Sequence, residues 1–121
     1  MSQIPNPQGP NNPQAVMQQA DAAHRAGDIR TAERLYRGLL AMSPMNPEVL
    51  FRLGSICEAT GRTQDAIMMY KGSASATETV AAPHAALGAL LERANRIEEA
   101  TSAIRTALRI DPRPPQALIV G

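Results

Sequence analysis

The chain has 121 residues, of which 44% are hydrophobic, and it contains one Phe, two Tyr and no Trp. Twelve basic and eleven acidic residues give a formal net charge of +1, and the lack of a basic cluster and of stacking aromatic side chains disfavours nucleic-acid binding. A single cysteine excludes a disulfide within the chain, and no segment approaches the roughly 18 consecutive apolar residues of a membrane-spanning helix.

The first twelve residues differ in composition from the rest of the chain. They are rich in proline and asparagine, and they have neither the charged start nor the apolar stretch of a secretory signal peptide. Because proline blocks helix formation and little apolar surface is available to pack, residues 1–12 are predicted to be disordered. These features favour a cytoplasmic location, and the preference for arginine over lysine indicates a bacterial source.

The remainder, residues 13–121, is predicted to be one domain built of helical pairs. Residues 13–46, 47–80 and 81–114 each consist of two helix-forming stretches of about a dozen residues joined by a short turn. Residues 115–121 resemble the start of a further helix. Such short helices cannot bury their apolar faces alone, so each pair must pack on its neighbour.

Capping residues mark where the helices are expected to begin. Asp28, Asn46 and Thr63 are predicted N-caps, because their side-chain oxygens can accept hydrogen bonds from the first free backbone N–H groups. Pro47 suits the first turn of its helix. The fifth helix is predicted to begin at Pro83.

An internal repeat of 34 residues connects the three units. Gly27, Gly61 and Asn95 recur at this spacing, and each suits the positive-φ residue of the turn between two helices. Alanine follows five residues after each of them, and Tyr, Tyr and Ile follow after another four. A fixed period of this length indicates a helical repeat array.

This pattern resembles the tetratricopeptide repeat over about residues 13–114. The second unit carries most of the signature residues, among them Leu50, Leu53, Gly54, Ala66 and Tyr70. The resemblance implies an all-α, right-handed superhelical solenoid of three helix-turn-helix repeats plus a partial C-terminal helix. Bulky residues at the places of Gly54 and Gly88 would push paired helices apart.

The chain departs from the repeat pattern at the end of the second unit. Its sequence YKGSASATETV lacks large apolar residues, and Gly72 weakens a helix. We therefore expect either a loosely packed joint between the second and third units or an early end of the fourth helix. His84 stands where the family usually has a large apolar residue.

Few residues offer catalytic chemistry. Cys57 is predicted to fill the core, because a cysteine near a helix C-terminus is poorly placed to ionise. His24 and His84 have no neighbouring cluster of metal ligands in the sequence. The sequence therefore predicts no enzyme activity, no metal site and no cofactor.

The resemblance implies that partners bind on the concave face, which the first helix of each unit lines. Phe51 is expected to be an exposed anchor there, and the alternative is that it packs between neighbouring helices. Of the positions that clamp a carboxylate in some family members, only Arg52 has a suitable side chain. The predicted groove residues are Met17, Asp21, His24, Arg25, Phe51, Ser55, Glu58, Ala85, Ala89, Glu92 and Arg93.

The function predicted from these observations is protein–protein interaction, as a scaffold or adaptor that holds a peptide or a partner surface in its groove. The alternative is a structural N-terminal or oligomerisation module of a larger bacterial protein, whether or not that protein is an enzyme. The apolar residues Leu118, Ile119 and Val120 are expected to cover the third unit, to mediate self-association together with Ala107 and Leu108, or to be continued by further sequence.

Overall fold

The computed structural model describes residues 12–112, which form six α-helices in three antiparallel pairs. The first pair is α1 (Pro13–Arg25) and α2 (Ile29–Met42), the second is α3 (Pro47–Ala59) and α4 (Thr63–Ser75), and the third is α5 (Ala81–Arg93) and α6 (Ile97–Ile110). Each helix packs on the helices that precede and follow it. The predicted all-α array of three helix pairs is confirmed. The predicted partial helix 115–121 and residues 1–11 lie outside the described residues.

Local sequence signals explain most of the helix starts. The side chains of Asp28 and Asn46 accept backbone hydrogen bonds from the first turns of α2 and α3, as predicted. Asn12 lies in the segment predicted to be disordered, but its Oδ1 accepts a 2.9 Å hydrogen bond from Ala15 N and caps α1. The predicted cap Thr63 is wrong, because Thr63 is already the first residue of α4.

The start of α5 also differs from the prediction. The helix begins at Ala81, two residues before Pro83, and Pro83 is buried in its first turn. This arrangement needs no broken hydrogen bond, since the first N–H groups of a helix have no partner within it. Val80 occupies the N-cap position without a side-chain hydrogen bond.

The turns within the pairs have the backbone geometry that the repeat predicts. Gly27, Gly61 and Asn95 have φ angles of 85°, 80° and 64°. Each follows the last turn of a first helix, and asparagine tolerates this conformation better than most residues with a side chain. These three turns reverse the chain within each unit.

Close helix approach within the pairs depends on two glycines. A Cβ atom at Gly54 would lie 2.6 Å from ring carbons of Tyr70, and one at Gly88 would lie 2.5 Å from Ile104 Cγ1. Both distances are far below van der Waals contact, so the predicted role of these glycines is confirmed. They allow α3 to approach α4 and α5 to approach α6.

The fourth helix does not end early, because α4 continues through Gly72 to Ser75. The small residues of its second half let the start of α3 approach. The buried Ser73 hydroxyl donates a 2.6 Å hydrogen bond to Pro47 O, and a Cβ atom at Gly72 would lie 3.2 Å from Leu50 Cδ1. On its other side, α4 is separated from α6 by shallow depressions, one of about 370 Å³ whose lining includes Ser75, Ser102 and Thr106.

Candidate protein-binding groove

The first helices of the three units run side by side, and charged side chains connect neighbouring ones. Arg52 Nε of α3 lies 3.8 Å from Asp21 Oδ1 of α1. Farther along, Arg93 of α5 forms an ion pair with Glu58 of α3. Because Glu58 and Arg93 both belong to the last turns of their helices, α3 and α5 are parallel and nearly in register. These first helices form the face that the sequence predicts as the groove.

Tyrosines from the second helices donate hydrogen bonds to the carboxylates of these ion pairs. The Tyr36 hydroxyl of α2 donates a hydrogen bond to Asp21. Burial raises the pKa of Tyr36, and the neighbouring Asp21 carboxylate raises it further. The His24 ring stands edge-on to the Tyr36 ring at a centroid distance of 6.3 Å. Asp21 is therefore held from two sides, by Tyr36 within its unit and by Arg52 from the next.

Tyr70 has the same role in the second unit. Its hydroxyl donates a 2.8 Å hydrogen bond to Glu58 Oε1 and lies 3.3 Å from Ser55 Oγ. Burial raises the pKa of Tyr70 to about 12, so this phenol remains protonated at neutral pH. Glu58 thus bridges Tyr70 and Arg93, and this carboxylate is fixed before any partner arrives.

Phe51 combines the two alternatives from the sequence, an exposed groove anchor and a residue packed between helices. Its side chain is half-buried, and its ring packs on the Tyr70 ring with a centroid distance of 5.6 Å. It also lines a cavity of about 380 Å³ between the starts of α3 and α5, here called the Phe51 cavity. The lining residues are Pro47, Glu48, Phe51, Arg52, Thr77, Val80, Ala82 and Pro83.

The eleven predicted groove residues all lie on first helices, but they differ in accessibility and in what they contact. Five of them contact Tyr36 or Tyr70 through hydrogen bonds or ring contacts, namely Asp21, His24, Phe51, Ser55 and Glu58. Ala85 and Ala89 are exposed and offer only small apolar surface. Half-buried residues are Met17, Asp21, His24, Phe51, Ser55 and Glu58, and exposed residues are Arg25, Ala85, Ala89, Glu92 and Arg93.

Sequence reasoning missed the contribution of the tyrosines to this face. Tyr36 and Tyr70 were recognised as repeat positions, and both are buried as such positions require. The sequence signal for their hydrogen bonds to the groove is a carboxylate on the preceding helix. Asp21 lies 15 residues before Tyr36, and Glu58 lies 12 residues before Tyr70. Arg52 was considered only as part of a carboxylate clamp, whereas it contacts Glu48 at 3.2 Å as well as Asp21.

A separate ion pair joins the first two units away from this face. Arg62, in the turn before α4, donates two 2.8 Å hydrogen bonds to the Glu33 carboxylate of α2. The Arg62 guanidinium lowers the pKa of Glu33 to about 2. At the corresponding joint between the second and third units, Lys71 Nζ lies 3.3 Å from Glu99 Oε1.

The cysteine and the second histidine have structural surroundings. Cys57 is fully buried, as predicted, and burial raises the pKa of its thiol. His84 Nε2 lies 3.1 Å from Thr77 O at the joint of the second and third units. Within residues 12–112, no group of three or more His, Cys, Asp or Glu side chains could hold a metal ion. None of the six described helices is long and apolar enough to cross a membrane.

Family models described as tetratricopeptide repeat match residues 17–78 and 81–114. The chain therefore belongs to the tetratricopeptide repeat family, whose fold is typical of non-catalytic protein-interaction modules. No curated protein sequence matches the chain.

Solved structures share this fold. A CopN–Scc3 complex matches with a TM-score of 0.78 at 19% identity, covering 90% of this chain and 64% of that one. MamA matches with a TM-score of 0.76 at 26% identity, covering 83% of this chain and 55% of MamA. The Yersinia enterocolitica type III secretion chaperone SycD, in complex with a peptide of the translocator YopD, matches with a TM-score of 0.77 at 17% identity, covering 88% of this chain and 82% of SycD. The chain thus spans less than two thirds of the first two relatives.

Proposed function

We propose that the chain is a scaffold or adaptor that holds an extended segment of a partner protein against the row of first helices. The observation that carries the proposal is the Phe51 cavity, an apolar depression that adjoins charged groups already held in place. Apolar cavities with a few fixed polar groups are the usual form of a binding site. A groove of fixed shape also lowers the entropy cost of binding.

The charged row favours recognition of a main chain in one orientation. Asp21 and Glu58 each accept a hydrogen bond from a tyrosine and have an arginine of the next unit within ion-pair distance, which restrains the direction of their oxygens. Arg93 and Glu92 remain exposed at the far end of the groove. In this proposal an apolar side chain of the partner enters the Phe51 cavity, and Glu92 and Arg93 at the end of α5 contact polar groups farther along the partner segment. SycD, which has this fold, is a chaperone solved with a peptide of its translocator, and this supports the choice of a peptide ligand.

Selection of random 12-residue peptides on the immobilised full chain would test this proposal. Val80 is 50% exposed and lines the cavity, so Val80→Asp places a negative charge at the apolar wall. Aspartate suits the N-cap position of α5, so the fold should be retained. We expect it to weaken the selected peptides at least tenfold. The matched control is Met68→Asp, because Met68 is 68% exposed on α4 and does not line the cavity. Equal affinity of the peptides for both variants would contradict the proposal.

The second candidate function is that of a module within a larger, bacterial and cytoplasmic protein. It is favoured because this chain covers only 64% and 55% of the first two relatives, so similar repeats occur within longer chains. The same peptide selection applies to it, because a module of this kind would use the same groove in cis.

A further inference from the structure

We infer that the outer face of α2 is a second interaction surface, which binds an acidic segment of a partner protein through Arg30, Arg34 and Arg37. This surface is here called the α2 arginine face. The opposite side of α2 carries the buried residues Ala32, Tyr36 and Leu39 and packs on α1 and α3. The α2 arginine face is therefore separate from the groove of the first helices, and the inference does not rest on the function proposed for that groove.

The three arginines form a stripe along the helix. Spacings of four and three residues place them on one side of α2, and the stripe is about 10 Å long at about 1.5 Å per residue. All three side chains are exposed. Arg62, from the turn before α4, lies beside the stripe, because Arg37 and Arg62 both donate hydrogen bonds to Glu33 Oε2. Two units of the array thus contribute cations to one surface.

The carboxylate within this surface is already occupied. Glu33 Oε2 accepts hydrogen bonds from Arg37 Nε at 3.0 Å and from Arg62 at 2.8 Å, and Oε1 accepts another from Arg62 at 2.8 Å. One negative charge therefore serves two guanidinium groups. Asp65 of α4 also interacts with Arg62, but no carboxylate is left over for the rest of the stripe.

Arg30 and Arg34 have no acidic partner. Within the described part of the chain, neither of them forms an ion pair. The carboxylate nearest to them in the sequence besides Glu33 is that of Asp28, which caps α2 by accepting a 3.3 Å hydrogen bond from Thr31 N. Both guanidinium groups thus keep their donors for a partner molecule.

Helix electrostatics argue against a structural role for these two arginines. Arg30 lies in the first turn of α2, where the positive end of the helix disfavours a cation. Arg30 and Arg34 are also like charges four residues apart, a spacing at which they repel each other. By contrast, α3, α4 and α6 each carry a carboxylate in the first turn. Residues that oppose local stability without a compensating contact are expected at functional surfaces.

The extent of the charge favours a short acidic segment over a membrane or a nucleic acid. At the repeat position of Arg30, α4 has Gln64 and α6 has Glu98. A bilayer or a duplex lying across the outer helices would bring its phosphates against the exposed Glu98 and Glu99. A segment that covers α2 alone meets the arginines and avoids these carboxylates. Guanidinium groups bind carboxylates through two parallel hydrogen bonds, which suits aspartate and glutamate side chains of a partner.

Fluorescence anisotropy of the full chain with a labelled acidic peptide tests the inference. The probe is an alanine-based peptide of about 15 residues whose glutamates recur at spacings of four and three, so that they lie on one side of a helix. We expect it to bind with an affinity that falls as the salt concentration rises, because salt screens exposed charges. The same peptide with glutamine in place of glutamate should not bind.

Matched variants assign the binding to α2. Arg30→Gln combined with Arg34→Gln should weaken the peptide about fivefold or more, because exposed ion pairs contribute little each. Arg105→Gln combined with Arg109→Gln removes the same charge from exposed positions of α6 and should leave the affinity nearly unchanged. Arg30→Glu places an acid at the positive end of α2, so it should raise the urea midpoint of unfolding while it weakens the peptide.

Four results would overturn the inference. The first is the absence of salt-dependent binding of the acidic peptide. The second is an equal loss of affinity in the α2 and α6 variants, which assigns the binding to net charge. The third is a lowered urea midpoint of Arg30→Glu, which assigns this arginine to the fold. The fourth is tighter binding of phosphatidylglycerol vesicles or duplex DNA that the α2 variant abolishes, which assigns the surface to a membrane or a nucleic acid.

Discussion

Tyr36 and Tyr70 occupy the same repeat position, but their hydroxyls bind carboxylates at different positions of the preceding helix. Tyr36 donates to Asp21, whereas Tyr70 donates to Glu58, one turn beyond Ser55, the residue that corresponds to Asp21. The Glu58 carboxylate therefore lies at the end of α3, where Arg93 of α5 forms an ion pair with it. The two joints of the array are therefore connected at different heights along the groove.

The tyrosine hydroxyls should stabilise the array. Tyr70→Phe removes a hydrogen bond to a carboxylate and leaves Glu58 with Arg93 alone. Hydrogen bonds to charged groups contribute about 1.5–3 kcal/mol, so we expect a loss of about 1–2 kcal/mol in the free energy of unfolding, measured by urea denaturation. Tyr36→Phe should behave similarly. If either variant unfolds at the same urea midpoint as the parent, its hydroxyl makes no net contribution to stability.

Glycine substitutions should separate close contact from helix propensity. Gly54→Ala places a methyl group against the buried Tyr70 ring and should destabilise by about 1–3 kcal/mol through overpacking. Gly38 lies in α2 with nothing within 4 Å of its Cβ position, so Gly38→Ala should stabilise by about 0.5–1 kcal/mol. Gly72→Ala should gain less than Gly38→Ala, because Leu50 must shift. Thermal and urea unfolding check the order, and equal effects at Gly54 and Gly38 would contradict it.

Phe51→Ala should lower stability as well as affinity. A groove anchor with no role in the core would leave the melting temperature nearly unchanged, but the Phe51 ring packs on Tyr70. Because the side chain is only partly exposed, we expect a loss of about 2–3 kcal/mol, less than the 3–5 kcal/mol of a fully buried Phe. Phe51→Leu should recover most of it. A loss above about 3 kcal/mol would place Phe51 in the core alone.

The repeat made much of the fold predictable from the sequence, and the groove chemistry only in part. Gly27, Gly61 and Asn95 identify the turns because few residues tolerate their backbone angles. The ion pairs were not predictable, because which carboxylate an arginine such as Arg52 or Arg93 reaches depends on helix offset and side-chain conformation. The start of α5 at Ala81 escaped prediction because no side chain caps it.

The Glu33–Arg62 pair should make stability depend on pH. The Glu33 pKa falls from 4.5 to about 2 on folding, so the pair stabilises the fold fully above pH 4.5 and loses this effect as the pH falls towards 2. Solvent screens exposed ion pairs, so the contribution of this pair to stability is small. Urea denaturation at pH 7 and pH 3 should show the parent losing more stability than Glu33→Gln. Equal losses would mean that other carboxylates account for the acid sensitivity.

Self-association through the C-terminal end remains a prediction, and the structure narrows the residues that could mediate it. Ala107, which we expected at the contact, is 6% exposed and belongs to the core, whereas Leu108 is 43% exposed on α6. Apolar surface at the end of a helical array favours association, so sedimentation velocity of the full chain should show a mass that rises with concentration. Leu108→Glu combined with Leu118→Glu should reduce the association, as should a polar helix appended after residue 121, whereas Met68→Glu, on another exposed surface, should not. If the chain is a monomer at all concentrations, or if the Leu108 and Met68 variants associate equally, the C-terminal end does not mediate contact between copies.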